Sequence, residues 1–306
     1  MIINSIRTVY QKVFPEYFRR GVWKSIHKSV AFKNTFLKQF LNNTKLGGKI
    51  REHTDPLKPL LSLPALYKKT VKQSDKPKSS LNYNRHEYKS TWNDLSTSNH
   101  RATVSVIGDV GEDVIQATAN HTKDTLERHV KIYPNDIILE IGCGIGRVGH
   151  VLAPICKQWV GCDVSANMLK HAGERLAEFD NVKLVEISGL DLSPIDDSSI
   201  DLVYCTVVFM HLEDIDRFNY VLESYRILKP GGRIFIDNFN LCSREGWEIF
   251  ENDRQLYTYD KNRPPHFARS STSQELKMYL KRAGFKKVKI KVECAWVQGI
   301  GIKPEK

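Results

Sequence analysis

At 306 residues with 41% apolar content, the chain is long enough for one large domain with its own core plus an extension. It has no run of eighteen apolar residues, which excludes a membrane-spanning helix, and no leader pattern of basic start, apolar block and small-residue cleavage site. The formal charge of +11 is unevenly placed: residues 1–90 hold 19 Lys or Arg against 5 Asp or Glu, and residues 91–306 hold 27 against 30.

Residues 2–18 set Ile2, Ile6, Val9, Val13 and Tyr17 at helical spacing with Arg7, Lys12 and Arg19 between or after them. Residues 22–41 repeat the pattern with Val22, Trp23, Ile26, Val30, Phe40 and four lysines. Both predict basic amphipathic helices. Residues 54–80 carry four prolines among leucines and lysines, which predicts an irregular connector. The domain organisation expected is therefore a basic helical and irregular extension over 1–90, then a domain over 91–306 whose core begins near residue 131.

From residue 110 the texture changes. A helix is predicted over 110–130, a turn at YPND, a short buried strand at IILEI (137–141) and a helix over 146–156. A strand at 159–164 precedes a helix over 165–179, with Ser165 as its cap. Strands follow at 182–188 and 199–209, then a helix over 214–228, a KPGG turn and the strand RIFIDNF (233–239). After a long insert at 241–272 come a helix over 273–284 and two strands, 286–296 and 297–303. Strands alternating with helices predict a doubly wound, mostly parallel α/β sheet of seven strands, and the closely spaced last pair predicts an antiparallel hairpin at its edge. Of the six cysteines, Cys143, Cys156, Cys162, Cys205, Cys242 and Cys294, none forms a C-x-x-C pair. Several sit inside apolar strand-like runs, where they read as small buried hydrophobes in a reducing, cytoplasmic setting, with no metal expected.

The stretch LEIGCGIGRVG (139–149) holds the clearest chemical signal. Glycines between a parallel strand and the next helix let the backbone turn tightly and approach a ligand, and the helix N-terminus faces the same place. Asp163 ends the second strand, where a carboxylate can accept hydrogen bonds from ribose hydroxyls. Gly144, Gly146 and Gly149 match G-x-G-x-x-G literally, the dinucleotide pattern. The register opposes that reading: the first glycine after the strand is Gly142, and counting from it the last would fall on Arg147. What remains is E-x-G-x-G-x-G headed by Glu140.

That pattern, followed in order by GCDVSANML, SGLDLSPIDDSSIDLVY, ESYRILKPGGRIFI and RAGF, resembles the class I S-adenosylmethionine-dependent methyltransferases. The resemblance covers about residues 110–306 and implies a Rossmann-like fold, S-adenosylmethionine as cofactor and methyl transfer. It implies that Glu140, Gly142, Gly144 and Gly146 line the methionine part of the cofactor, that Asp163 binds the ribose, and that Val164 and Met168 flank the adenine. Ser188, Gly189 and Leu190 would meet the adenine edge, although the acid common in that stretch is here displaced to Asp191. Cys205 and Thr206 would lie under the methyl donor.

The sulfonium is already activated, so the protein has mainly to align, and to remove one proton when the acceptor is a hydroxyl. The resemblance places His211 near the donor methyl, and histidine titrates in the range a general base needs. Asp237 and Asn238 resemble the Asp-Asn pair of metal-dependent catechol-type methyltransferases, but CTVVFM lacks that family's other metal-ligand acid. The fourth strand has neither the DPPY-like tetrapeptide nor the Pro-Cys pair of base-directed enzymes. The insert's Trp247, Phe250, Tyr257, Tyr259, His266 and Phe267 suggest an aromatic lid over the acceptor. The expected acceptor is a small molecule, glycan or lipid-linked compound, methylated at a hydroxyl. An RNA acceptor held by the basic extension and a non-catalytic cofactor-binding module are the alternatives. For the extension, packing on the domain, as part of the acceptor site or a homodimer contact, ranks first. A peripheral membrane contact through residues 1–45 comes next and nucleic acid below it.

Overall fold

A computed structural model describes residues 88–108, 110–259 and 268–305. The basic helices expected over 2–18 and 22–41, the connector over 54–80, the membrane contact through 1–45, and His266 and Phe267 lie outside the described residues.

Among the described residues three helices come first: α1 (Tyr88–Leu95), α2 (Asn99–Ile107) and α3 (Glu112–His129). The alternating part follows as β1 (Ile137–Ile141), α4 (Arg147–Leu152), β2 (Gln158–Asp163), α5 (Ala166–Arg175), β3 (Val182–Glu186), β4 (Ile200–Cys205), α6 (Asp214–Ile227) and β5 (Leu228–Phe239). Then come α7 (Arg244–Tyr257), α8 (Ser273–Ala283), β6 (Lys286–Glu293) and β7 (Trp296–Ile302). The seven strands form one sheet in the order β3-β2-β1-β4-β5-β7-β6. β1 to β5 run parallel, while β7 pairs antiparallel with both β5 and β6. The α/β fold with its antiparallel edge hairpin is the one the strand–helix alternation predicts.

Both sheet faces are covered, which is why the central strands read as continuous apolar runs. On one face Leu139, Val203 and Ile236 pack with Tyr220 and Val221 of α6 and Leu276 and Leu280 of α8. On the other, Ile138, Leu202 and Phe235 pack with Leu126 of α3 and Val148 and Leu152 of α4. Each such buried Leu or Ile contributes about 1.5–3 kcal/mol. Trp159 fixes a close approach: its ring crosses Gly161 and Gly149, where an added Cβ would stand 2.4 and 2.8 Å from ring atoms. Gly149 therefore serves helix-on-strand packing. No described helix is long and apolar enough to cross a membrane.

Two local expectations change. The strand expected over 199–209 stops at Cys205, because Val207 takes a left-handed backbone (φ +62°) and Phe209–His211 form a 3₁₀ turn. KPGG is a bulge inside β5: Ile200 pairs with Leu228 but Leu202 already pairs with Arg233. Of the six cysteines, Cys143, Cys156, Cys162 and Cys205 are buried, in line with the expectation for several of them, and Cys242 and Cys294 are exposed in the turns after β5 and β6. Ser165 does cap α5, accepting from the Met168 N–H at 3.1 Å.

Candidate active site

The carboxyl ends of β1, β2 and β4 open into a cleft, where the chain reverses its winding direction between β1 and β4. The glycine turn forms one wall. Gly142 has φ +72°, and an added Cβ would stand 2.4 Å from Val208, so only glycine fits. Asp163 clamps this wall from β2. One carboxylate oxygen accepts the Gly144 N–H at 2.8 Å and the other accepts the Ser165 N–H at 2.9 Å. Burial raises its pKa to about 6, against the pull of those backbone donors.

Glu140 stands on β1 at the cleft floor and is 3% exposed. Tyr204 of β4 donates to its carboxylate at 2.6 Å, and Trp159 Nε1 donates to the Tyr204 hydroxyl at 3.0 Å. Burial raises the Glu140 pKa to about 8, although the Tyr204 hydrogen bond and the Arg147 charge both favour the ionised form. Beside it, Thr206 lines the cleft with a buried hydroxyl that has no partner among the described residues. Asp237, at the end of β5, accepts the Val207 N–H at 2.8 Å and so holds the strained turn that lines the cleft. Burial raises its pKa to about 7. Asn238 is engaged with Ser271 Oγ at 2.7 Å and the Phe239 N–H at 2.8 Å. Among the described residues no group of three His, Cys, Asp or Glu could hold a metal.

The cleft brings together Glu140, Gly142, Gly144, Asp163, Val164, Met168, Gly189, Thr206 and His211 from the residues singled out in the sequence. Gly146, Ser188, Leu190 and Cys205 do not line it. Gly146 starts α4 with φ +75°, and its missing Cβ gives room to Leu176 and Ala172. Ser188 and Leu190 are exposed on the turn after β3, where Leu190 N–H donates to Ser188 Oγ at 3.1 Å. Cys205 is wholly buried in the core.

The cover over the cleft differs from the expected aromatic insert. Trp247 and Phe250 of α7 pack on each other, ring centroids 5.3 Å apart, and Tyr259 is 96% exposed; none of them lines the cleft. The aromatic lining comes from Tyr88 and Trp92 of α1 and Tyr220 of α6, with Val106 of α2 beside them. The Tyr88 hydroxyl donates to Asp216 at 2.8 Å and accepts the Glu213 N–H at 3.0 Å. Asn93 Oδ1 accepts from Ser165 Oγ at 2.9 Å, and Ser96 Oγ lies 3.0 Å from the same hydroxyl. Trp92 meets the His211 ring edge-on at 5.0 Å. The sequence held two signals for this cover: the Tyr88 and Trp92 spacing, and Ser98 as the cap of α2.

Residues 139–236 match the family model described as a methyltransferase domain. The chain is 34% identical over 117 residues to a demethylmenaquinone methyltransferase of Clavibacter sepedonicus, covering 37% of this chain and 46% of that one. It is 27% identical over 146 residues to phosphoethanolamine N-methyltransferase 1 of Zea mays, covering 47% and 27%. The chain thus spans less than half of the length of either relative. The fold resembles that of the magnesium protoporphyrin IX methyltransferase of Synechocystis PCC 6803, solved with bound S-adenosylhomocysteine, at a TM-score of 0.51 and 15% identity over 68% of this chain and 96% of that one. A cleft with a ribose-type acid on β2, a glycine turn, an unpartnered Thr206 hydroxyl and a buried acid on its floor fits such a nucleoside. The chain carries a class I S-adenosylmethionine-dependent methyltransferase domain, with S-adenosylmethionine as its cofactor.

Proposed function

We propose that the protein transfers a methyl group from S-adenosylmethionine to a hydroxyl of a small, ring-bearing acceptor. The observation that carries this reading is the lining of the cleft, which includes the apolar Val207, Val208 and Leu212 and sets His211 against the Trp92 ring at 5.0 Å. Such a lining suits a largely apolar acceptor with a single polar group to be deprotonated. It lacks the row of cations that a phosphate backbone requires, which favours a small acceptor over RNA.

The cofactor, when bound, supplies an electrophilic methyl on a sulfonium. In this reading Asp163 accepts from the ribose hydroxyls, Glu140 faces the methionine ammonium, and Val164 and Met168 flank the base. His211 takes the acceptor proton, with its ring oriented by the edge of Trp92. Closure by α1 and α2 keeps water from the sulfonium. The names of the relatives support a small acceptor, quinone-type in one and an amine in the other. A lipid-linked acceptor would also give residues 1–45 a surface to bind.

Incubation with methyl-labelled S-adenosylmethionine and fractionated extract tests the proposal. Label is expected in the organic-soluble small-molecule fraction. Label confined to RNA or protein would overturn it.

A further inference from the structure

Arg147 opens α4 directly after the glycine turn, where it reads as a surface residue, yet it is 8% exposed and lines the cleft. A guanidinium has five N–H donors and is rarely buried without a carboxylate partner. Among the described residues Arg147 makes one hydrogen bond, from Nη1 to Thr122 Oγ1 at 3.3 Å. Among the described residues no acid lies within ion-pair distance of it, although Glu140 and Asp237 are close enough to act on its charge. Among the described residues its other donors have no hydrogen-bond partner, and the side chain lines the cleft.

The position along the cleft is also defined. The groups that act on Arg147 are Glu140, Tyr204 and Asp237, on β1, β4 and β5. The ribose acid Asp163 is on β2, toward the other side of the sheet. Arg147 thus belongs to the end of the cleft that holds the amino-acid part of the cofactor. We propose that Arg147 binds the α-carboxylate of that part while Glu140 receives the ammonium, so that the pair recognises the zwitterion. A bidentate guanidinium–carboxylate contact would satisfy the donors left open and offset the burial of the charge. The pair would make the site discriminate the complete cofactor from nucleosides lacking the carboxylate.

This inference rests on the cofactor assignment, and the test separates the two. Calorimetry at pH 8.5 would compare S-adenosylhomocysteine with its decarboxylated analogue, which keeps the amine, on the full-length protein and on R147Q and R147K. R147Q should weaken S-adenosylhomocysteine about 10- to 100-fold and leave the analogue's affinity essentially unchanged. R147K, which keeps the charge without the planar fork, should show a smaller loss, again for S-adenosylhomocysteine alone. It serves as the test if R147Q does not fold. Equal losses for both ligands would make Arg147 a counter-charge for Glu140 and Asp237 and overturn the proposal, as would no loss for either. Failure of the unaltered protein to bind S-adenosylhomocysteine would instead overturn the cofactor assignment itself.

Discussion

Replacing Tyr204 by phenylalanine removes one oxygen from a wholly buried chain of hydrogen bonds. Tyr204 is 0% exposed, donates to Glu140 at 2.6 Å and accepts from Trp159 Nε1 at 3.0 Å. Its loss leaves a buried indole N–H and a buried carboxyl each short of a partner. At about 1–3 kcal/mol for each unsatisfied group, the expected cost is about 2–6 kcal/mol. A loss of about 3 kcal/mol lowers Tm by about 6–12 °C in a domain of this size. The substitution also acts on protonation. Burial holds the Glu140 pKa at about 8 in the folded protein, against an ordinary value of 4.5. Between those values the folded chain keeps this proton and the unfolded chain releases it. Stability of the ligand-free protein therefore falls as pH rises through that window, by at most about 1.4 kcal/mol per unit. Binding of the cationic ammonium runs the other way, because it needs the ionised carboxylate. Affinity for S-adenosylhomocysteine should rise by up to about tenfold per unit toward pH 8 and level off above it. Without the Tyr204 hydrogen bond, which favours the ionised form, this midpoint moves to higher pH. Thermal melts and calorimetry between pH 6 and 9 read both effects. An unchanged Tm together with an unchanged pH profile would refute the role assigned to the Trp159–Tyr204–Glu140 chain.

Gly149→Ala should place its methyl against the Trp159 ring, 2.8 Å away before relaxation, and cost about 1–3 kcal/mol in a thermal melt with S-adenosylhomocysteine affinity kept. Loss of affinity with the fold intact would give Gly149 a ligand role after all. His211→Gln should lower turnover on a hydroxyl acceptor by about 10²- to 10⁴-fold in a label-transfer assay, again with S-adenosylhomocysteine affinity kept. Near-normal turnover would make His211 only a support for the Phe209–His211 turn.

The strands were legible in the sequence because both sheet faces are buried, so IILEI and RIFIDNF read as apolar runs whatever packs on them. The glycine turn was legible because its backbone needs a left-handed residue at 142, which the bare spacing encodes. The cover was not. α1, YKSTWNDL, is polar, and α2, NHRATVSVI, is short, with only Ala102, Val106 and Ile107 as apolar residues on its inner face. α1 is attached through hydrogen bonds from Tyr88, Asn93 and Ser96 to residues more than sixty positions away, and α2 through an apolar cluster of Ala102 and Ile107 with Ile145 and Met168; no local pattern encodes either. The aromatic insert misled for the complementary reason: Trp247 and Phe250 find each other on α7, away from the cleft. Arg147 was hidden because a basic residue at a helix start usually faces water, and only the tertiary structure reveals its burial.

The central claim is that the cleft between Asp163 and Glu140 is an S-adenosylmethionine site. Calorimetric titration of the full-length protein with S-adenosylhomocysteine and, in parallel, with NAD at pH 8.5 tests it most directly. The account predicts one saturable S-adenosylhomocysteine site per chain and no binding of NAD. Binding of NAD, or no binding of S-adenosylhomocysteine, would contradict it.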